Sequence, residues 1–249
     1  MVKEEYKILE LMRKTGKIML ENGSEINKIE KATTNIGKNF NYKASCFATL
    51  TCLIITITNN LGEVFSLVDR IEERSTNLNK VHRVDILIKN ICDYSYEEYM
   101  DELDKIEKEK DYTPFIKTLG YTLGVGFFVF LFNGGFHEFL TGLCAGAILS
   151  FTAYATKYVK LNSLFSNVIF GMISALVPSI FVKIGFIEDA GTAIISALMI
   201  NVPGVSFINS IRDLFSGDLV SSLSRLLEVI LIGMALSIGS GIILKFFII

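Results

Sequence analysis

The stretch "NVPGVSFINSIRDLFSGDLVSSLSRLLE", residues 201–228, decides how this chain is read. It begins inside a charge-free window at residues 190–211, with Pro203 and Gly204 close to its start. It then gathers Asn209, Arg212, Asp213, Asp218, Arg225 and Glu228 among apolar residues. Proline removes a backbone donor and clashes with the preceding helical turn, and the following glycine relaxes the chain further. At membrane depth, freed backbone groups are tolerated only when buried in protein or lining a watery cavity. A simple kink is the bland alternative. The neighbouring polar groups weigh against it, because such side chains are costly in lipid and normally face a partner or a water path.

Working outward, charge divides the chain. Of the 50 Asp, Glu, Lys and Arg residues, 37 precede Pro114. Residues 1–113 therefore read as a cytosolic domain, and residues 114–249 as a transmembrane domain. Charge-free windows recur at 118–137, 139–156, 161–182, 190–211 and 229–244. About 20 apolar residues cross a hydrocarbon layer ~30 Å thick, so five spans are expected, the fourth broken at Val-Pro-Gly. Lys117, Lys157, Lys160, Arg212 and Arg225 then flank one side, and only Lys183 and Lys245 the other. Excess positive charge marks the cytoplasmic face, which puts the N-terminal domain in the cytoplasm and the C-terminus outside.

The fold class expected is thus a membrane all-α bundle preceded by a small α+β domain. In that domain, apolar residues at helical spacing run from Ile8 to Met19, and Gly23 stands where a left-handed cap belongs. Ser24 is placed to cap a second helix reaching about Gly37. Residues 42–71 turn to Thr, Ile, Phe and Val with the turn signal Asn59-Asn60-Leu61-Gly62, which predicts two or three antiparallel strands. Helical spacing returns near residue 77, and Ser95 with Glu98 forms a capping box. Small residues punctuate the spans. Gly120/Gly124 and Gly142/Gly146 have the spacing that lets membrane helices approach closely.

Several functions lack support. A net charge of −2 offers no basic surface for nucleic acid. The four cysteines form no CxxC pair, no zinc spacing appears, and neither cofactor nor metal is expected. His82 and His137 have no catalytic partner in the sequence, so no enzyme is expected. In the charged half, Glu25, Lys28 and Glu30 share one helix, where Glu25 and Lys28 at three residues' spacing suit a solvated ion pair.

The candidate translocation residues are Asn201, Pro203, Gly204, Asn209, Arg212, Asp213, Asp218, Arg225 and Glu228. Arg212 has the planar fork that holds a carboxylate by two hydrogen bonds, or it anchors a helix end at the surface. Glu228, one turn inside the last helix, is the first choice for a proton-carrying group, with an ion pair to Arg225 as the plain alternative.

"GSEINKIE", residues 23–30, resembles the Gly-Ala-Glu-Thr-x-Arg-Val-Glu motif of the threonine/serine exporter family, with Gly23, Glu25, Lys28 and Glu30 as its matching positions. Residues 201–233 resemble that family's Val-Pro-Gly…Asn-x-x-Arg-Asp…Gly-Asp…Arg-x-x-Glu segment. "FNGGFHEFLTGLCAGAI", residues 132–148, is similar to its Gly-Gly loop and second span. Lys28 stands where the family has arginine, and Ser222 where it has a second glycine. Full-length members look like two fused membrane halves, and this chain resembles the first. The resemblance implies a split exporter of threonine, serine or a small dicarboxylate such as succinate, driven by an ion gradient. A second small multi-spanning subunit would complete it, and a homo-oligomer is a further assembly the reading admits. A membrane-anchored regulatory or assembly protein, working through its cytosolic domain, is the competing class.

Overall fold

Residues 43–70 alternate in burial with a period of two, and that alternation builds a sheet. The computed structural model describes residues 4–110 and 112–248. Met1–Lys3 and Asp111 of the expected charged domain and Ile249 at the end of the expected fifth span lie outside the described residues. Three strands, β1 (Lys43–Ala48), β2 (Cys52–Thr58) and β3 (Val64–Arg70), form an antiparallel sheet in the order β1-β2-β3. The register aligns Ser45 with Thr56 and Thr56 with Ser66. Leu53, Ile55 and Ile57 all point to one face and are fully buried.

Two helices cover that face. α1 (Glu4–Glu21) buries Ile8, Leu11, Met12, Ile18 and Met19, and α2 (Ile26–Asn39) buries Ile26, Ile29 and Ile36. A Cβ built on Gly37 would stand 2.4 Å from the Ala44 side chain, so α2 lies close on β1 only because position 37 has none. α3 (Leu78–Lys89), a 3₁₀ turn (Ile91–Asp93) and α4 (Tyr96–Glu107) close the core, with Tyr99 and Leu103 inside. The Ser95–Glu98 capping box forms as expected. Ser24 does not cap α2: Glu25 is the cap residue, and neither side chain accepts an N-terminal amide.

The apolar half is helical: α5 (Pro114–Leu131), α6 (Phe136–Tyr158), α7 (Ser163–Lys183), α8 (Gly191–Met199), α9 (Gly204–Phe215) and α10 (Leu219–Ile248). α5, α6, α7 and α10 are each long and apolar enough to cross a membrane. α8 and α9 make a fifth crossing if they are taken together, bent by 61° at their break. The break falls at Pro203, where the sequence predicts it, whereas Pro178 is accommodated inside α7. The Asn201 and Val202 amides turn back on Leu198 and Met199 to end α8, and proline has no amide with which to continue.

Contacts divide the chain into two units. The first comprises Met1–Lys110 with Gly204–Leu227, and the second Asp111–Pro203 with Glu228–Ile249. A segment from the expected transmembrane domain therefore packs with the charged residues. In the second unit, glycines set the helix spacing. A Cβ on Gly146 would meet the Tyr121 carbonyl oxygen at 2.5 Å, and one on Gly142 the Gly126 Cα at 3.2 Å, so α6 touches the α5 backbone there. Gly171 of α7 and Gly239 of α10 interlock likewise, against the Leu236 and Val168 carbonyls at 2.2 and 2.0 Å. The expected Gly120/Gly124 seam is not of this kind. Nothing lies within 4 Å of a Cβ on Gly120, and Gly124 meets only the tip of Ile200.

Candidate functional site

α9 and the start of α10 form a helical hairpin that is inverted relative to a soluble one. Gly217 adopts φ +89°, and its amide and that of Asp218 close α9 on the Leu214 and Asp213 carbonyls. Asp218 then caps α10, its Oδ1 accepting the Ser221 amide at 3.1 Å. Ser222 donates to the Ser210 carbonyl at 2.7 Å, so a hydroxyl links the two helices where the resembled motif has glycine. The buried side chains are Asn209, Ser210 and Asp213 on α9 and Ser221, Ser222 and Arg225 on α10. The exposed ones are mostly apolar, Phe207, Ile208, Leu214, Phe215, Leu219, Val220 and Leu223, with Arg212, Ser216 and Ser224 exposed beside them. Apolar outside and polar inside is the arrangement that lipid, not water, favours.

The polar face meets residues 23–26. Gly23, at φ +86°, ends α1 and leaves the backbone of the turn available. Asn209 Nδ2 donates to the Gly23 carbonyl at 2.9 Å, and Arg225 Nη2 donates to the Ser24 carbonyl at 3.3 Å. Ile26 N–H, the first amide of α2, donates to Asp213 Oδ1 at 3.1 Å. A helix N-terminus carries unpaired donors and a partial positive charge, so a carboxylate there satisfies both. The cap that Ser24 was expected to supply thus comes from 187 residues away. Asp213 Oδ2 stands 3.6 Å from Arg225 Nε, and Arg212 Nη1 pairs with Glu25 Oε1 at 2.5 Å.

The other motif positions fasten α2 to its own domain. Lys28 pairs with Asp85 of α3, so the expected Glu25–Lys28 pair does not form and each side chain has a distant partner. Glu30 Oε1 accepts the Ala48 amide of β1 at 2.9 Å. Burial raises the Glu30 carboxyl above its ordinary range; the Ala48 bond opposes this, and the charge of Asp218 adds to it. Gly204 begins α9, while Asn201, Pro203 and Glu228 belong to the second unit. Among the described residues, no group of three His, Cys, Asp or Glu side chains is placed to hold a metal. Sequence reasoning missed Asp85 and Ser210. Neither carries a local signal, because each is defined by a partner on another element.

Two short motifs separated by some 180 residues therefore form one polar cluster. The family model of the threonine/serine exporters matches residues 10–247, which takes in both. The chain belongs to the threonine/serine exporter family. It is a multi-pass membrane protein. A threonine/serine exporter of Corynebacterium glutamicum is 25% identical over 94% of this chain and 50% of its own length. The "Probable succinate transporter subunit YjjP" of Klebsiella aerogenes is 20% identical over 89% of this chain and 86% of its own. This chain thus spans about half of the Corynebacterium exporter and most of the Klebsiella subunit. No solved structure matches it.

Proposed function

We propose that the chain is one subunit of a secondary exporter of small carboxylate metabolites, threonine and serine or a dicarboxylate such as succinate. An ion gradient drives it, and a second small multi-spanning membrane subunit completes the path. The observation that carries this reading is the polar-lined hairpin after the Val-Pro-Gly break, with Arg212, Asp213 and Arg225 gathered at the turn 23–26. Two guanidinium groups suit a carboxylate cargo, and the broken helix gives the backbone dipoles that transporters aim at substrate. The half-length match to the Corynebacterium exporter, beside the near-full match to a subunit, supports the split arrangement. In this reading residues 1–113 lie in the cytoplasm and the spans cross the cell membrane.

The test is efflux from cells preloaded with labelled threonine, serine or succinate. Deleting this gene together with that of its membrane partner abolishes efflux of the cargo. Unchanged efflux of all three rejects the proposal.

A regulatory reading has one observation in its favour: the hairpin's polar groups engage the charged domain itself. It requires that domain, expressed without the spans, to retain activity and Pro203 and Asn201 to be freely replaceable. Export requires neither.

A further inference from the structure

We propose that Asp213 is the group that takes up and releases the coupling proton, an inference that rests on the exporter reading above. Asp213 is fully buried. A buried carboxylate ordinarily collects several donors, because its charge is costly without them. This one accepts a single hydrogen bond, from Ile26 N–H to Oδ1. Oδ2 accepts none, and its nearest cation, Arg225 Nε, stands at 3.6 Å, beyond hydrogen-bonding reach. A proton therefore settles on Oδ2 without displacing any hydrogen bond, while Oδ1 continues to hold Ile26. The step balances by itself: hydronium gives the proton to Oδ2, an O–H bond forms, and the same bond breaks when the proton returns to water.

The charged groups facing Asp213 are Arg225 of α10, Glu25 at the start of α2 and Asp218 in the hairpin turn, with Arg212 held against Glu25. Only Arg225 favours the carboxylate; Glu25 and Asp218 oppose it. Two further buried hydroxyls, Ser24 Oγ and Ser221 Oγ, also lack a hydrogen bond. Ser24 supplies the carbonyl that Arg225 holds, and Ser221 lies one turn before Arg225, so the group stands amid underused polar atoms. Neutralising Asp213 removes one negative charge beside Arg225 and weakens the cap on α2. One proton thus reaches the contacts that join residues 23–26 to both helices of the hairpin. A buried titratable group at a junction of elements is the form a proton-driven switch takes.

The experiment compares wild type, Asp213→Asn and Glu228→Gln in membrane vesicles from the native host, each carrying the full chain with its resident partner. Asparagine keeps the oxygen that receives Ile26 N–H and cannot titrate. The expected result for Asp213→Asn is loss of efflux driven by a pH gradient, with retention of cargo-for-cargo exchange in the absence of a gradient. Gradient-driven efflux with the wild-type pH profile overturns the proposal. So does loss of both activities at normal abundance in the membrane, or the same uncoupling produced by Glu228→Gln instead. Should Asp213→Asn fail to reach the membrane, Asp213→Glu decides: a displaced pH profile supports the role, and an unchanged one overturns it. If wild-type vesicles move none of threonine, serine and succinate, the exporter reading itself fails and this inference falls with it.

Discussion

Arg212 and Glu25 show how little a contact's geometry says about its worth. The Arg212 side chain is 62% exposed, and an exposed ion pair contributes about 0–1 kcal/mol. Arg212→Ala is therefore expected to leave thermal unfolding in detergent almost unmoved while abolishing efflux; full transport by the variant refutes the role assigned to it. Glu30 makes the opposite kind of prediction. Its carboxyl is raised above the ordinary 4.5, so the folded state holds its proton more tightly than the unfolded one. Stability is then lost as pH rises from the unfolded value through the folded one, and the loss persists at neutral pH. Glu30→Gln keeps an oxygen for the Ala48 amide and sheds that cost. Its melting temperature should exceed wild type at pH 7 and converge on it below pH 4.5, measured by scanning fluorimetry of the solubilised protein. At this scale the sequence was legible wherever both partners are local. The Ser95–Glu98 box closes within three residues and could be read directly, whereas the Asp213 cap on Ile26 could not.

Among the elements, helices meeting through glycine and helices meeting through side chains respond differently to substitution. On α6, Gly146 faces main-chain atoms of Tyr121 and Thr122, which have nowhere to move. Gly146→Leu is expected to destabilise by about 1–3 kcal/mol or more, as overpacking does, and Gly120→Ala to be neutral. Unfolding midpoints of the two variants, measured in the same detergent, check the contrast. Equal shifts would mean that α5 and α6 do not meet where described. The small-xxx-small spacing was visible at both places in the sequence. Which of the two pairs faces a neighbour was not, because spacing gives the shared face of a helix and not the direction that face points.

For the whole molecule, the polar hairpin packs with residues remote in sequence, which makes the charged domain incomplete as a fragment. Residues 1–110 expressed alone retain the core around Leu53, Ile55 and Tyr99 but lose the Asp213 cap, worth about 1 kcal/mol in typical helices. Hydrogen exchange at the Ile26 amide is accordingly expected to be faster in the fragment than in the full chain, with exchange in β2 protected in both. Orientation gives a second prediction. Cys92 is exposed in the charged unit, so a membrane-impermeant maleimide should label it in inside-out vesicles and not in intact cells. Labelling in intact cells would reverse the topology.

The sequence by itself determined the elements: apolar runs long enough to span, a period-two stretch for the sheet, and the Pro203-Gly204 pair beside which a helix breaks. These are local properties, set by side-chain spacing and backbone chemistry within a few turns. Only the tertiary structure decided that Asp213, Asn209 and Arg225 bind the turn at 23–26, and that Lys28 leaves Glu25 for Asp85. Such partners are chosen by long-range packing, which brings a buried carboxylate to an orphan amide whatever the distance between them along the chain.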